Sequence, residues 1–97
     1  MKARLYFRMK LTYLDGGFAE LVAWKIPVGP RYPDGIRYRF AFIPAESDRP
    51  AVLYDNHHPK GHHKHVDEIE SKSSFSGVGR LVEEFRTEIE SWKKRTR

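Results

Sequence analysis

Ninety-seven residues carry 18 Lys and Arg against 13 Asp and Glu, a formal net charge of +5, five histidines and no cysteine. That length holds one small domain with a single core and excludes a (β/α) barrel or a doubly wound dinucleotide-binding fold. The missing cysteines exclude a disulfide scaffold, a thiolate zinc finger and a cysteine nucleophile, while 13% aromatic residues argue against disorder.

The chain opens on a two-residue alternation over 3–14. Leu5, Phe7, Met9, Leu11 and Tyr13 point one way and Arg4, Tyr6, Arg8, Lys10 and Thr12 the other, the mark of a half-buried strand. Asp15-Gly16-Gly17 suits a tight hairpin, and 18–28 reads as the partner strand, ended by Pro27 and Pro30. A loop over 29–35 turns at Pro33-Asp34-Gly35. Over 35–45, Ile36, Tyr38, Phe40 and Phe42 alternate with Arg37, Arg39, Ala41 and Ile43, which predicts a third strand. A polar turn at Glu46-Ser47-Asp48-Arg49-Pro50 leads to a short fourth strand over 51–55. A histidine-rich loop follows over 56–65, and Val66 to Glu70 is a candidate fifth strand.

Over 79–95 the period lengthens, with Leu81, Val82, Phe85, Ile89 and Trp92 at helical spacing. Ser76 is the candidate cap, and the basic tail complements the negative end of the helix dipole. The expected fold is α+β: one domain, an antiparallel β-meander of four or five strands covered on one face by the C-terminal helix. Trp24 and Trp92 lie in apolar patterns and read as packing residues rather than base-stacking ones. Gly77-Val78-Gly79 reads as a plain loop rather than a phosphate cradle.

Charge is unevenly placed. Residues 1–45 carry a net of +5, residues 46–70 a net of −3 and residues 71–97 a net of +3. Basic residues interleaved with aromatics, as in Arg37-Tyr38-Arg39-Phe40, suit a phosphate backbone, although solvated strand faces would look the same. No apolar run is long enough to cross a bilayer, and Met1-Lys2-Ala3-Arg4 is not followed by the apolar stretch of a secretory leader. The expectation is a cytoplasmic protein with no membrane partner.

All five histidines fall between positions 57 and 65, inside the one acidic segment. Imidazole is both a common metal ligand and the side chain that moves protons near neutral pH. As a metal site, His63-x-His65 with Asp67 two further on would point alternate side chains one way, and His58 or His62 could complete a ligand set for a divalent metal. The match of His63-Lys64-His65-Val66-Asp67 to the start of an H-x-H-x-D-H metal signature fails at the next residue, Glu68. As a metal-free site, the loop supplies an acid and a base for attack of an RNA 2′-hydroxyl on phosphorus, with cations for the developing charge. That chemistry, which needs no cofactor, is the favoured reading. Its catalytic candidates are His58, His63 and His65, with Asp55 orienting a ring; Arg37, Arg39, Lys60 and Lys64 would hold RNA. A non-catalytic RNA- or protein-binding module is the reading from a different class.

The run Tyr38-Arg39-Phe40, Tyr54-Asp55-Asn56-His57-His58 and Gly61-His62-His63-Lys64-His65, followed by a C-terminal helix, resembles the TumE-like toxins of bacterial toxin–antitoxin operons over roughly residues 35–92. The resemblance implies a toxin of a bacterial or archaeal cell, encoded beside a helix-turn-helix antitoxin and acting as a ribonuclease, a hydrolase of messenger RNA. It singles out Asp55, Asn56, His57, His58, His62, His63 and His65 as the matching motif. A homodimer is compatible with it, and the antitoxin would cover the basic face or an exposed sheet edge.

Overall fold

The computed structural model describes residues 2–96. Six strands lie side by side in chain order, every pair antiparallel. They are β1 (Arg4–Thr12), β2 (Phe18–Lys25), β3 (Ile36–Ile43), β4 (Val52–Asp55), β5 (His63–Val66) and β6 (Ile69–Lys72), and one helix, α1 (Val78–Arg95), follows. The α+β class with a helix-covered meander is as expected, with six strands rather than four or five. The additional strand comes from the histidine segment. His63–Val66 pairs with β4, and the chain then reverses at Asp67 and Glu68, so that Val66–Glu70 is a strand end, a turn and a strand start. Asp67 takes the left-handed conformation, φ 56°, that such a two-residue turn needs.

The hairpin glycines are where the sequence places them. A Cβ on Gly17, φ 80°, would lie 2.8 Å from the Ile43 carbonyl oxygen, so any larger residue there pushes the first hairpin off β3. One departure occurs in β1. Leu5 is opposite Trp24 and Phe7 opposite Ala23, which leaves Tyr6 as an extra residue. This bulge breaks the alternation read from the sequence and moves Leu5 to the face opposite Phe7.

The core forms on one face of the sheet. Ala19, Leu21 and Ala23 of β2, Tyr38, Phe40 and Phe42 of β3, and Val52 and Tyr54 of β4 are buried against Leu81, Phe85 and Ile89 of α1. Phe85 meets Phe40 and Tyr54 edge-on, with ring centres 5.6 and 5.5 Å apart. Trp92 packs edge-on against Phe42 and donates its indole N–H to Asp67 Oδ1 at 2.8 Å, which ties the helix end to the β5–β6 turn. Ser76 does not cap the helix. Gly77 occupies the cap position at φ 105°, no side chain caps the end, and the Gly77 carbonyl accepts the Leu81 N–H. At the other end Lys93, Lys94 and Arg95 occupy the last turn, as the dipole favours. Among the described residues no helix is long and apolar enough to cross a membrane.

Two expectations follow from this core. Phe85→Ala should cost about 3–5 kcal/mol, the usual cost of emptying a buried aromatic site, as read by urea unfolding; a loss below 1 kcal/mol would contradict the packing. Burial, with the Glu88 and Glu84 carboxylates nearby, holds the Tyr54 hydroxyl far above the ordinary phenol range, and burial with Asp55 does the same for Tyr38. A raised folded value stabilises fully below the unfolded value of about 10 and loses that stabilisation as pH rises above it. Stability should therefore decline above about pH 10, and Tyr54→Phe should shift the alkaline unfolding midpoint upward. An unshifted midpoint would show that this hydroxyl does not govern the transition.

Candidate functional site

The site begins where β4 stops. Asn56 is buried, its Oδ1 accepts the Tyr38 N–H at 2.9 Å, and its Nδ2 donates to the Ile36 carbonyl at 2.8 Å. The side chain thus satisfies two backbone groups of β3 that a longer β4 would have paired, and it releases its own backbone to leave the sheet. Asp55 Oδ1 accepts the His57 N–H at 2.9 Å, an Asx turn that starts the excursion. Lys60 N–H closes a second turn onto the His57 carbonyl, and Gly61, φ 72°, returns the chain to β5.

Strand parity then sorts the histidines. Cross-strand partners share a face, and the register places Arg8, Val22, Arg39, Asp55, His63 and Lys72 in one row across all six strands. The adjacent row on that face runs Lys10, Glu20, Ala41, Leu53, His65 and Glu70. These rows lie on the face opposite α1. His63 and His65 therefore share the open face with Arg37 and Arg39, and their rings are 5.3 Å apart. Lys64 points through to the other face, where its ammonium meets Glu88 at 3.2 Å and lies over the Tyr54 ring.

The two rings are held differently. His63, 6% exposed, donates from Nδ1 to the Gly61 carbonyl at 2.8 Å and turns Nε2 toward Asp55 Oδ1 at 3.4 Å. Both of its nitrogens face acceptors. The His65 side chain, 32% exposed, turns Nε2 toward Glu70 Oε1 at 3.1 Å. Its Nδ1 makes no hydrogen bond among the described residues. Glu70 also accepts from Lys60 at 2.7 Å, and this hydrogen bond, with the Lys60 charge, holds its carboxyl below the usual range. His63, His65 and Glu70 each place one ligand atom within 4.8 Å of the others. Glu70 was not singled out from the sequence; the signal was the turn at Asp67-Glu68, which folds residue 70 back opposite residue 65.

The remaining candidates go elsewhere. His57 accepts from the Arg37 guanidinium through Nδ1 at 3.4 Å. His58 is exposed and is held by its backbone N–H on the Tyr32 hydroxyl at 3.2 Å. His62 sits on the helix side, its Nε2 at 2.8 Å from Asp34 and its Nδ1 at 2.9 Å from the Tyr38 hydroxyl, stacked 4.7 Å from Phe75. That arrangement staples the β2–β3 loop and the segment before α1 to the end of β3. Asp67 is engaged by Trp92. Trp24, expected in the core, lies instead on the open face, because its partner Arg37 belongs to the outward set of β3.

A small basic sheet with one helix-free face bearing paired histidines, carboxylates and arginines is the class of protein defined here. A family model described as toxin TumE matches residues 1–93, and the chain belongs to that family. Membership makes it the toxin of a toxin–antitoxin system, with a cognate antitoxin as its partner. No curated protein and no solved structure is a significant match to the chain.

Asn56→Ala should cost about 2–6 kcal/mol, since two buried backbone groups lose their partners at roughly 1–3 kcal/mol each. Denaturant unfolding measures this, and an unchanged midpoint would mean that water replaces the amide.

Proposed function

We propose that this toxin is an endoribonuclease that cleaves RNA without a metal, using His65 as general base and His63 as general acid. The observation that carries this reading is the pair of histidines on the face opposite the helix, each facing a carboxylate, with His63 in the row of Arg39 and His65 in the adjacent row. The hydrogen bonds support the division of roles. With Nε2–H directed to Glu70, His65 keeps the Nδ1 lone pair free to take a proton. His63, with acceptors at both nitrogens, is arranged as a donor.

In the proposed step His65 removes the proton of the RNA 2′-hydroxyl, the oxygen attacks the adjacent phosphorus, and the bond to the 5′ oxygen breaks. His63 gives its proton to that leaving oxygen, so a 2′,3′-cyclic phosphate and a 5′-hydroxyl form. Arg39 and Arg37 stabilise the charge gathered on phosphorus. Asp55 orients His63, and Lys60 holds Glu70 in place beneath His65. His58 and Lys64 have no part in this step: one lies in the exposed loop, the other on the helix face.

A second reading is favoured by one observation, the His63, His65 and Glu70 cluster, whose nitrogen and carboxylate donors suit a divalent transition metal. A single assay separates the two. Under the metal-free reading purified protein cleaves RNA in EDTA, His65→Ala and His63→Ala each lower the rate by about 10²–10⁴, and both variants lose growth inhibition. Cleavage abolished by EDTA and restored by a divalent ion would establish the second reading, and RNA left intact by the wild type would refute both.

A further inference from the structure

A groove of about 500 Å³ opens over β2 and β3 on the same face, lined by Val22, Trp24 and Ile26 together with Arg37, Arg39 and Glu20. Trp24 is half-buried but stands outside the core cluster, against which Trp92 packs. An indole on the water side of a sheet, framed by aliphatic side chains and two guanidinium groups, serves no packing purpose that the fold requires. Its chemistry matches that of single-strand binding surfaces, where an aromatic ring stacks on a base and cations track the backbone.

The position fixes the relation to the histidines. Arg39 is the cross-strand partner of both Val22, in the groove, and Asp55, which is the partner of His63. From β3 to β5 is two strand spacings, about 10 Å. A phosphate on Arg39 would thus have a base in the groove on one side and the proton-transfer pair on the other. Glu20 settles the orientation within the groove. A carboxylate repels phosphate and accepts from an exocyclic amino group, so the base edge faces Glu20 and the sugar-phosphate faces the arginines.

We propose that this groove is a base-binding subsite for the nucleotide beside the scissile phosphate, stacking the base on Trp24 and preferring adenine, cytosine or guanine to uracil. The choice of RNA as ligand rests on the nuclease reading above. The test uses the full-length protein and 2′-O-methyl trinucleotides, which bind but lack the attacking hydroxyl. Titration of the adenosine trinucleotide should quench tryptophan fluorescence. Trp24→Ala should weaken its binding roughly tenfold to a hundredfold, while Trp24→Phe keeps most of the affinity because a ring still stacks. Glu20→Gln should narrow the preference over the uridine trinucleotide. Circular dichroism confirms that Trp24→Ala is folded, and if it is not, the Trp24→Phe protein must bind with no quenching of the remaining indole.

Affinity unchanged in Trp24→Ala, or no binding by the wild type, overturns the subsite. So does quenching by an acidic peptide but not by the trinucleotide, which would mark a protein occupant. Cleavage is measured separately on unmodified RNA. Binding through Trp24 without cleavage refutes the nuclease reading and leaves the subsite standing, and cleavage with unaltered binding in Trp24→Ala does the reverse.

Discussion

One helix can cover only one face of a sheet, and in this protein the whole arrangement depends on that asymmetry. Each strand sends alternate residues to opposite faces, so burying Leu21, Phe40, Val52 and Tyr54 beneath α1 commits Val22, Arg39, Leu53 and Asp55 to the other side. The core therefore chooses which residues line the open face. Shifting β3 by one residue would turn Arg39 toward the helix and expose an aromatic ring. The register that optimises packing is also the register that aligns the charged row.

The connections near the site protect this register. Asn56 replaces a stretch of strand with one side-chain amide, so the chain can leave the sheet without stranding the backbone of β3. His62 does related work from the helix side, where a ring between Asp34 and Tyr38 anchors the loop return. Histidines adjacent in sequence thus have different duties. His62 is stapled into the scaffold on the helix side, whereas His63 and His65 are held on the opposite face by carboxylates and a carbonyl, His63 buried and His65 part-exposed. The alternation of β5, rather than the density of imidazoles, separates them. Carboxylates also account for the acidic character of the central segment: Asp55 and Glu70 hold rings, and Asp67 holds Trp92.

Much of this was legible in the residues. The alternation of Ile36 to Phe42, the glycines at 16 and 17 and the stripe from Leu81 to Trp92 specify strands, hairpin and helix with little competition from other patterns. The histidine segment was harder because its strand is four residues long with Val66 as its one apolar residue, so hydrophobic periodicity has almost nothing to register. Only pairing with β4 makes it a strand. Ser76 was a sound cap by residue type, but Gly77 reaches a φ of 105° that serine avoids, and the helix begins one residue later. Trp24 misled for another reason. An apolar pattern in β2 is consistent with either face, and the Tyr6 bulge removes the reference that β1 would supply. Glu70 could not be found by spacing from the histidines until the turn that carries it back was recognised.

Under the proposed function, a partner covering both rows of the open face would block His63, His65 and Arg39 together. The proposed cleavage requires those histidines to drive attack of the RNA 2′-oxygen on phosphorus themselves. The most direct measurement is the chemistry of the ends left on RNA cut by the purified toxin. Metal-free cleavage by the histidine pair leaves a 2′,3′-cyclic phosphate, or its opened product, paired with a 5′-hydroxyl. A 3′-hydroxyl paired with a 5′-phosphate would mean attack by a water rather than by the RNA and would contradict it.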